Sequence, residues 1–303
     1  MKTNVYQIVT DRIVEQMSKG IIPWRQPWNR VGQAFALNYV TRRPYSALNC
    51  MLLGKQGEYL TWKQIQTLGG KLKKGSKSKF VVFFDMIRIK DDKKAIVKDS
   101  ETEQTETSGK TEKDTKVIPL LKYYNVFHVD DVEGIESRIS EDKPVESNVK
   151  PVEEAERVIA GYLDRESTLR FVNDSPSNKA YYSPMQDMVV VPMISQYKVA
   201  DEYYSTAFHE LTHSTLKKSR CNREMTGAIA AFGSENYSRE ELVAEIGAAM
   251  LCNTCGLDAE SAFRNSVAYI QSWASMLKSD PKAIVWASTR AEKASKYILG
   301  IEA

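Results

Sequence analysis

Apolar residues recur at helical spacing from the start of the chain. Val5, Ile8, Val9, Ile13 and Met17 follow Asn4, a suitable N-cap, and Gly20 ends the run. The prolines of IIPWRQPW (Ile21 to Trp28) then force extended chain. Two stretches rich in β-branched and aromatic residues, FVVFFDMIRI (Phe80 to Ile89) and VIPLLKYYNVFHV (Val117 to Val129), read as two strands of one sheet. Between them Asp91 to Lys116 mixes six basic with eight acidic side chains and has no aromatic residue, which predicts a long flexible tip inside the first module. A second polar stretch, Glu136 to Pro151, has the charge and proline content of an interdomain linker. Past it come a strand, MVVVP (Met188 to Pro192), and a helix in YSREELVAEIGAAML with Ser238 as N-cap and a core stripe of Leu242, Val243, Ile246 and Met250. The tail from Ala262 to Leu299, with Tyr269, Ile270, Trp273 and Leu277 at helical spacing, predicts further helices. The pattern is an α+β fold in two modules, residues 1–140 and 150–303, the second mostly helical with a small sheet.

Composition narrows this picture. The chain has 303 residues, and its 42% hydrophobic content allows a core in each module. Four cysteines are too few for a disulfide framework, and MKTNVYQIVTDRIVEQ carries charges where a signal peptide needs an apolar core. No apolar stretch approaches the roughly 18 residues needed to cross a bilayer, so the chain reads as soluble and cytoplasmic.

The net charge of +3 conceals two unlike halves. Residues 1–90 hold 16 Lys/Arg against four Asp/Glu, a net of +12, and the remainder carries −9. In the basic half, aromatic residues alternate with cations. Trp24 and Trp28 bracket Arg25, with Arg30 close behind; Arg42, Arg43 and Tyr45 follow, then Trp62 and Lys63, then Lys71, Lys73, Lys74, Lys77 and Lys79 around a GlyGly turn. Single-stranded DNA requires this combination, since cations follow the phosphates while rings stack on bases whatever their identity. No basic recognition helix for duplex reading stands out.

Of three histidines, two stand four apart in His209-Glu210-Leu211-Thr212-His213. On a helix both imidazoles face one way and can share a Zn2+, with Glu210 beside them as general base for a water whose pKa the metal lowers. The third ligand must come from elsewhere. Glu241 suits it, with Glu245 one turn on orienting a histidine from behind. Alternatively Glu241 closes a capping box with Ser238, and Glu240 or Glu245 is the ligand. Cys252 and Cys255 have CxxC spacing but lack a second pair, and read as two reduced thiols; His128 lies in an alternating strand and reads as structural. Tyr203, Tyr204 and Tyr237 flank the metal-bearing helices as candidate oxyanion donors.

Read in order, PWRQPW, NYVTRRPYSALN, YLTWKQIQTLGGKLKKGSK and YYNVFHVDDVEGI, then YYSPMQDMVVVP, YYSTAFHELTHST, FGSENYSREELVAEIGAAMLC and YIQSWASMLKSD make the chain resemble the ArdC-type antirestriction proteins of plasmids and conjugative elements. Two departures are His213-Ser214-Thr215-Leu216, where relatives often read HWTG, and Ala47-Leu48 in place of Gly-Ile. The resemblance implies a single-stranded DNA-binding domain followed by a zincin-like metallopeptidase domain, and protection of incoming DNA from restriction. A protein substrate is named by no motif.

Overall fold

The structure, a computed structural model, describes residues 4–25, 29–30, 33–34, 36–90, 115–139, 151–223, 235–257 and 267–301. Most of the charged insertion (residues 91–114) and most of the second polar stretch, as well as Trp28, lie outside them. Helix α1 (Val5–Ser18) begins where the Asn4 side chain accepts a hydrogen bond from the Tyr6 N–H, and Gly20 follows with φ of +80°. A single 3-10 turn, Pro23–Arg25, and a short hairpin, β1 (Asn29–Arg30) and β2 (Gln33–Ala34), lead into the first sheet. Its strands are β3 (Ala36–Asn38), β4 (Gly57–Thr61), β6 (Lys79–Lys90) and β7 (Thr115–His128), in the order β3-β4-β7-β6. The two strands expected on either side of the insertion pair antiparallel along their full length, from Lys79 opposite Val126 to Lys90 opposite Thr115.

Helix α2 (Ala47–Leu53) is buried at every position and lies against this sheet. Asn49 fixes it there: its amide donates to the Val82 carbonyl and accepts from the Val82 N–H, so a buried polar side chain completes the strand's backbone bonds. Helix α3 (Trp62–Thr67) starts at a capping box between Thr61 and Gln64, and a ribbon of β5 (Lys71–Leu72) with β8 (Val132–Glu133) closes the module. His128 is structural, as expected. Its Nδ1 accepts from the Asp130 N–H and its Nε2 lies 2.9 Å from the Gln56 carbonyl, against Gly57, where a Cβ would sit 2.2 Å from Nε2.

In the second module α4 (Pro151–Arg165) precedes a three-stranded sheet of β9 (Arg170–Val172), β10 (Tyr181–Ser183) and β11 (Met188–Val190), ordered β10-β11-β9. Four helices follow: α5 (Ala200–Ser214), α6 (Glu235–Cys255), α7 (Val267–Ser279) and α8 (Ala283–Leu299). Helix α6 starts before Ser238, which places that serine inside the helix and removes the capping-box reading of Glu241. Cys252 and Cys255 are free, buried thiols, and burial pushes Cys255 up to about 12, so both are inert.

Each module has a core of its own, in the first around Tyr39, Leu60, Ile65, Val129 and Val132, and a further cluster joins the two. One continuous cluster joins Val9, Ile13 and Met17 of α1, Met51 and Leu52 of α2, and Val81 and Val126 of the sheet to Leu242, Val243 and Ile246 of α6 and Ile284 and Ala291 of α8. Trp24 sits in this seam at 1% exposure, edge-on to Trp273 with ring centroids 6.2 Å apart. Polar contacts cross it as well, from Thr10 Oγ1 to the Pro281 carbonyl and from the Ala47 N–H to Glu292. A second cluster, wholly within the later module, packs α4, β11 and the apolar side of α5 against Ala248, Leu251 and Cys252 of α6.

Below α5 lies a buried ionic knot. Arg220 donates to both oxygens of Asp187, to Glu166 and to the Ser214 carbonyl, while Lys217, Thr168 and Tyr182 also donate to Asp187. Burial opposes the Asp187 charge, but hydrogen bonds from Arg220, Lys217 and Thr168 outweigh it and hold the carboxyl well below the usual range. A carboxylate whose pKa falls on folding stabilises the fold above its unfolded value of about 3.9 and loses that contribution as pH drops. Asp187 also adopts φ of +47°, which asparagine tolerates. We therefore predict that Asp187→Asn lowers unfolding free energy by about 3 kcal/mol or more at neutral pH in a urea titration. The loss should shrink as both proteins are acidified below about pH 4. An unchanged midpoint at pH 7 would refute the assignment.

Candidate metal centre

Helix α5 brings His209 and His213 onto one side, one turn apart, because Tyr203, Tyr204, Ala207, Phe208 and Leu211 occupy the side that faces the core. The two Nε2 atoms are 3.2 Å apart. Helix α6 crosses in front of them and presents Glu241, whose oxygens lie 3.4 Å from His209 Nε2 and 3.5 Å from His213 Nε2. His209, His213 and Glu241 form the cluster of potential metal ligands found among the described residues, with donor atoms all within 4.8 Å of one another. Two nitrogens bound at roughly 2.0–2.1 Å to a tetrahedral ion stand about 3.3 Å apart. The separations here match that spacing, so the donor set fits one small divalent cation.

Crossing at this distance depends on Gly247. A Cβ there would stand 2.6 Å from Thr212 Cγ2 and 2.8 Å from its Oγ1. Thr212 has no freedom to turn away, since its hydroxyl is bonded to the Phe208 carbonyl at 2.7 Å. With Ala244 and Ala248 on either side, α6 offers α5 a surface of small residues.

Glu240, the neighbour of the proposed ligand, meets His213 from the other side, its Oε1 3.5 Å from Nδ1. Glu240 is thus a carboxylate placed to orient His213. Arg223 holds Glu240 in place through Nε and Nη2 while also donating to Thr215 Oγ1 and to the Thr212 carbonyl at the end of α5. Nothing in the sequence distinguished Arg223, because its partners are 8 to 17 residues away and fall on two helices. Burial disfavours charge on His213, yet hydrogen bonds to Glu240 and Glu241 prevail and raise it to about 10. Those histidines in turn hold Glu241 well below the ordinary carboxylate range against its burial.

Glu210 is buried beside the pair. Burial raises its pKa, partly countered by the two histidines, and the Tyr182 backbone N–H of β10 bonds to it. Among the tyrosines considered for oxyanion contact, the Tyr203 hydroxyl accepts from Asn173 and the Tyr204 hydroxyl donates to Glu156, which commits both to the core.

The candidate DNA-contacting residues are spread over the first module, and the structure separates them. Trp24 has no ring face open to a base, since the turn that follows α1 folds it into the seam between modules. Arg42 is paired with the buried Glu58 carboxylate, which also accepts from the Arg138 and Ile139 N–H groups and the Ser137 hydroxyl. Lys73 donates to the Asp130 carbonyl, and Lys79 and Tyr45 are half-buried. Trp62, at 49% exposure, opens α3. Arg43, Lys63, Lys71, Lys74 and Lys77 are exposed, while the backbones of Arg25 and Arg30 lie in the turn and in β1.

A two-histidine helix crossed by a glutamate-bearing helix is the arrangement of a zincin-like metal site. Residues 162–290 match the model for zincin-like metallopeptidases, and residues 3–127 match that for the N-terminal domain of the anti-restriction factor ArdC. The crystal structure of the antirestriction ArdC protein from plasmid R388 in its Mn(II)-bound form superposes with a TM-score of 0.67 at 30% identity, over 98% of each chain. Its metal-free form gives 0.68 at 29% identity, over 99% of this chain and all of that one. The chain belongs to the ArdC family of antirestriction proteins. It is also similar, at 27% and 30% identity, to two Escherichia coli proteins described as DNA primase TraC, of which it spans only 20% and 28%.

If Gly247 sets the helix spacing, then Gly247→Ala should cost about 1–3 kcal/mol of stability. It should also weaken Zn2+ or Mn2+ binding measured by calorimetry, because Glu241 is carried away from the histidines. Unaltered metal affinity in a folded variant would show that the crossing tolerates a methyl group.

Proposed function

We propose that this chain is an antirestriction protein that binds single-stranded DNA through its basic module and carries a zinc-dependent peptidase site in its second. His209, His213 and Glu241 hold the ion. When bound, zinc supplies Lewis acidity and lowers the pKa of water toward neutrality. Glu210 takes up a proton on a carboxylate oxygen and returns it to the leaving amine. Its burial supports this role, since a carboxylate raised toward neutral pH both accepts and releases a proton readily. The observation that carries the reading is the juxtaposition of Glu210 with three donors spaced for a tetrahedral ion.

A second reading has support of its own. Helix α6, which bears Glu241, contributes to the cluster that joins the modules and to that of the second module, so a metal joining it to α5 would fasten the fold and leave protection to occupancy of DNA alone. Glu210→Gln distinguishes the two. It should retain metal and thermal stability while abolishing cleavage of peptide libraries or host proteins. Full protection of incoming DNA by this variant in a conjugation assay would remove hydrolysis from the antirestriction role.

For the basic module, single-stranded DNA should bind more tightly than duplex and weaken steeply as salt rises. Replacing Lys71, Lys73 and Lys74 together should reduce affinity for every sequence and flatten the salt dependence by up to about 2 in the log–log slope. Trp28→Ala should cost stacking energy at unchanged slope. Equal affinity for both forms of DNA in filter binding would contradict this part of the reading.

A further inference from the structure

Strands β6 and β7 form a long two-stranded ribbon, paired from Lys79 opposite Val126 to Lys90 opposite Thr115. Alternation along β6 sends Val81 and Phe83 to one face, and the register adds Tyr124, opposite Val81, and Lys122, opposite Phe83. Near the Lys79 end this face is core, with Val81 and Val126 at 1% exposure. One step farther out Phe83 is 47% exposed and Tyr124 46% exposed. Rings of this size at these positions are not required by packing, because on this face of β6 the buried residues end at Val81.

These rings form a row. Buried Tyr59 touches Tyr45 edge-on at 6.3 Å, Tyr45 meets Phe83 at 6.3 Å with planes tilted by 45°, and Phe83 meets Tyr124 at 6.0 Å with planes at 60°. Tilted and edge contacts of this kind fix the rings while leaving Phe83 and Tyr124 exposed. Cations accompany the row: Lys122 is directly across from Phe83, Lys79 lies farther along the same face, and exposed Arg43 is two residues before Tyr45. The surrounding residues 1–90 carry the net charge of +12.

We propose that Tyr45, Phe83 and Tyr124 form a base-stacking platform for single-stranded nucleic acid, with Lys79, Lys122 and Arg43 placed for its phosphates. The inference rests on the single-stranded DNA reading above and gives it a surface in which Phe83, Tyr124 and Lys122 join the sequence candidates Arg43, Tyr45 and Lys79. The occupant is a nucleic acid rather than a protein segment because the row is aromatic, is interleaved with cations and packs with residues 1–90, whose net charge is +12.

The test uses the full chain and two dye-labelled probes of equal length, oligo-dT and an abasic deoxyribose-phosphate strand, titrated by fluorescence anisotropy at several salt concentrations. Phe83→Ala with Tyr124→Ala should weaken oligo-dT binding by about tenfold or more, keep the salt slope, and leave the abasic strand unaffected. The conservative pair Phe83→Tyr and Tyr124→Phe should bind normally. Should the alanine pair fail to fold, Phe83→Trp provides a direct readout, with added tryptophan emission quenched by oligo-dT and not by the abasic strand. Salt-sensitive binding of oligo-dT by the unaltered protein, matched by the alanine pair or unaccompanied by quenching, overturns the platform and leaves the DNA reading standing. Failure of the unaltered protein to bind either strand at low salt overturns both. Vesicles containing phosphatidylserine that bind the unaltered protein but not the alanine pair, with oligo-dT binding unchanged, would assign the ribbon to a lipid surface and overturn the proposal.

Discussion

Thr212 and Gly247 meet where α5 and α6 cross, and there is no room between them for a single methyl group. Thr212 lies inside the two-histidine motif, one residue before His213, while Gly247 is six residues beyond Glu241 on the facing helix. The contact therefore sets the distance across which three donors come together. Helix crossings of ordinary side chains keep axes about 8–10 Å apart, and small residues at the contact are what allow the lower end of that range. Around the contact Arg223 adds a polar tie, since it binds both a carbonyl near the end of α5 and the carboxylate of Glu240. Spacing is thus fixed by sterics and rotation by a buried charge pair.

That pair would be an expense in isolation, because removing a guanidinium and a carboxylate from water costs several kcal/mol before they attract one another. Here each charge has further partners. Glu240 faces His213, and Arg223 satisfies Thr215 and Thr212 as well as Glu240. Breaking one member leaves the others buried and unpaired, so the network acts as a unit that stiffens His213. The Asp187 knot does the same beneath the helix: Arg220 joins it to the Ser214 carbonyl, immediately after His213. The C-terminal end of the two-histidine segment is consequently held by two networks whose carboxylates, Glu240 and Asp187, are distant in sequence.

Much of this was legible in the residues. The donor helix, the strand at Met188 to Val190, the paired strands on either side of the insertion and the helical tail all followed from period and composition, which report local burial. Choice among Glu240, Glu241 and Glu245 was not legible, because residues one or four apart on a helix differ by rotations that only the crossing partner resolves. Ser238 misled for a related reason: a serine before an apolar run marks an N-cap only if the preceding turn is not already helical, and α6 begins at Glu235. Trp24 was misread because its position between prolines and an arginine describes a surface turn equally well, while its actual partner, Trp273, is far along the chain.

The seam that captures Trp24 alters how the two modules relate. Linked domains with separate cores move independently by default, since interfaces between them are small and polar. In this chain α6 places Leu242, Val243 and Ile246 in the core of the basic module and Glu241 toward the histidines, so one rigid element belongs to both surfaces. A shift of the first sheet would reach the metal ligands through packed side chains. Interiors at crystal-like density do not absorb such shifts gradually. The shared core thus ties the first sheet to the helix that carries Glu241, which a pair of beads on a linker would not do.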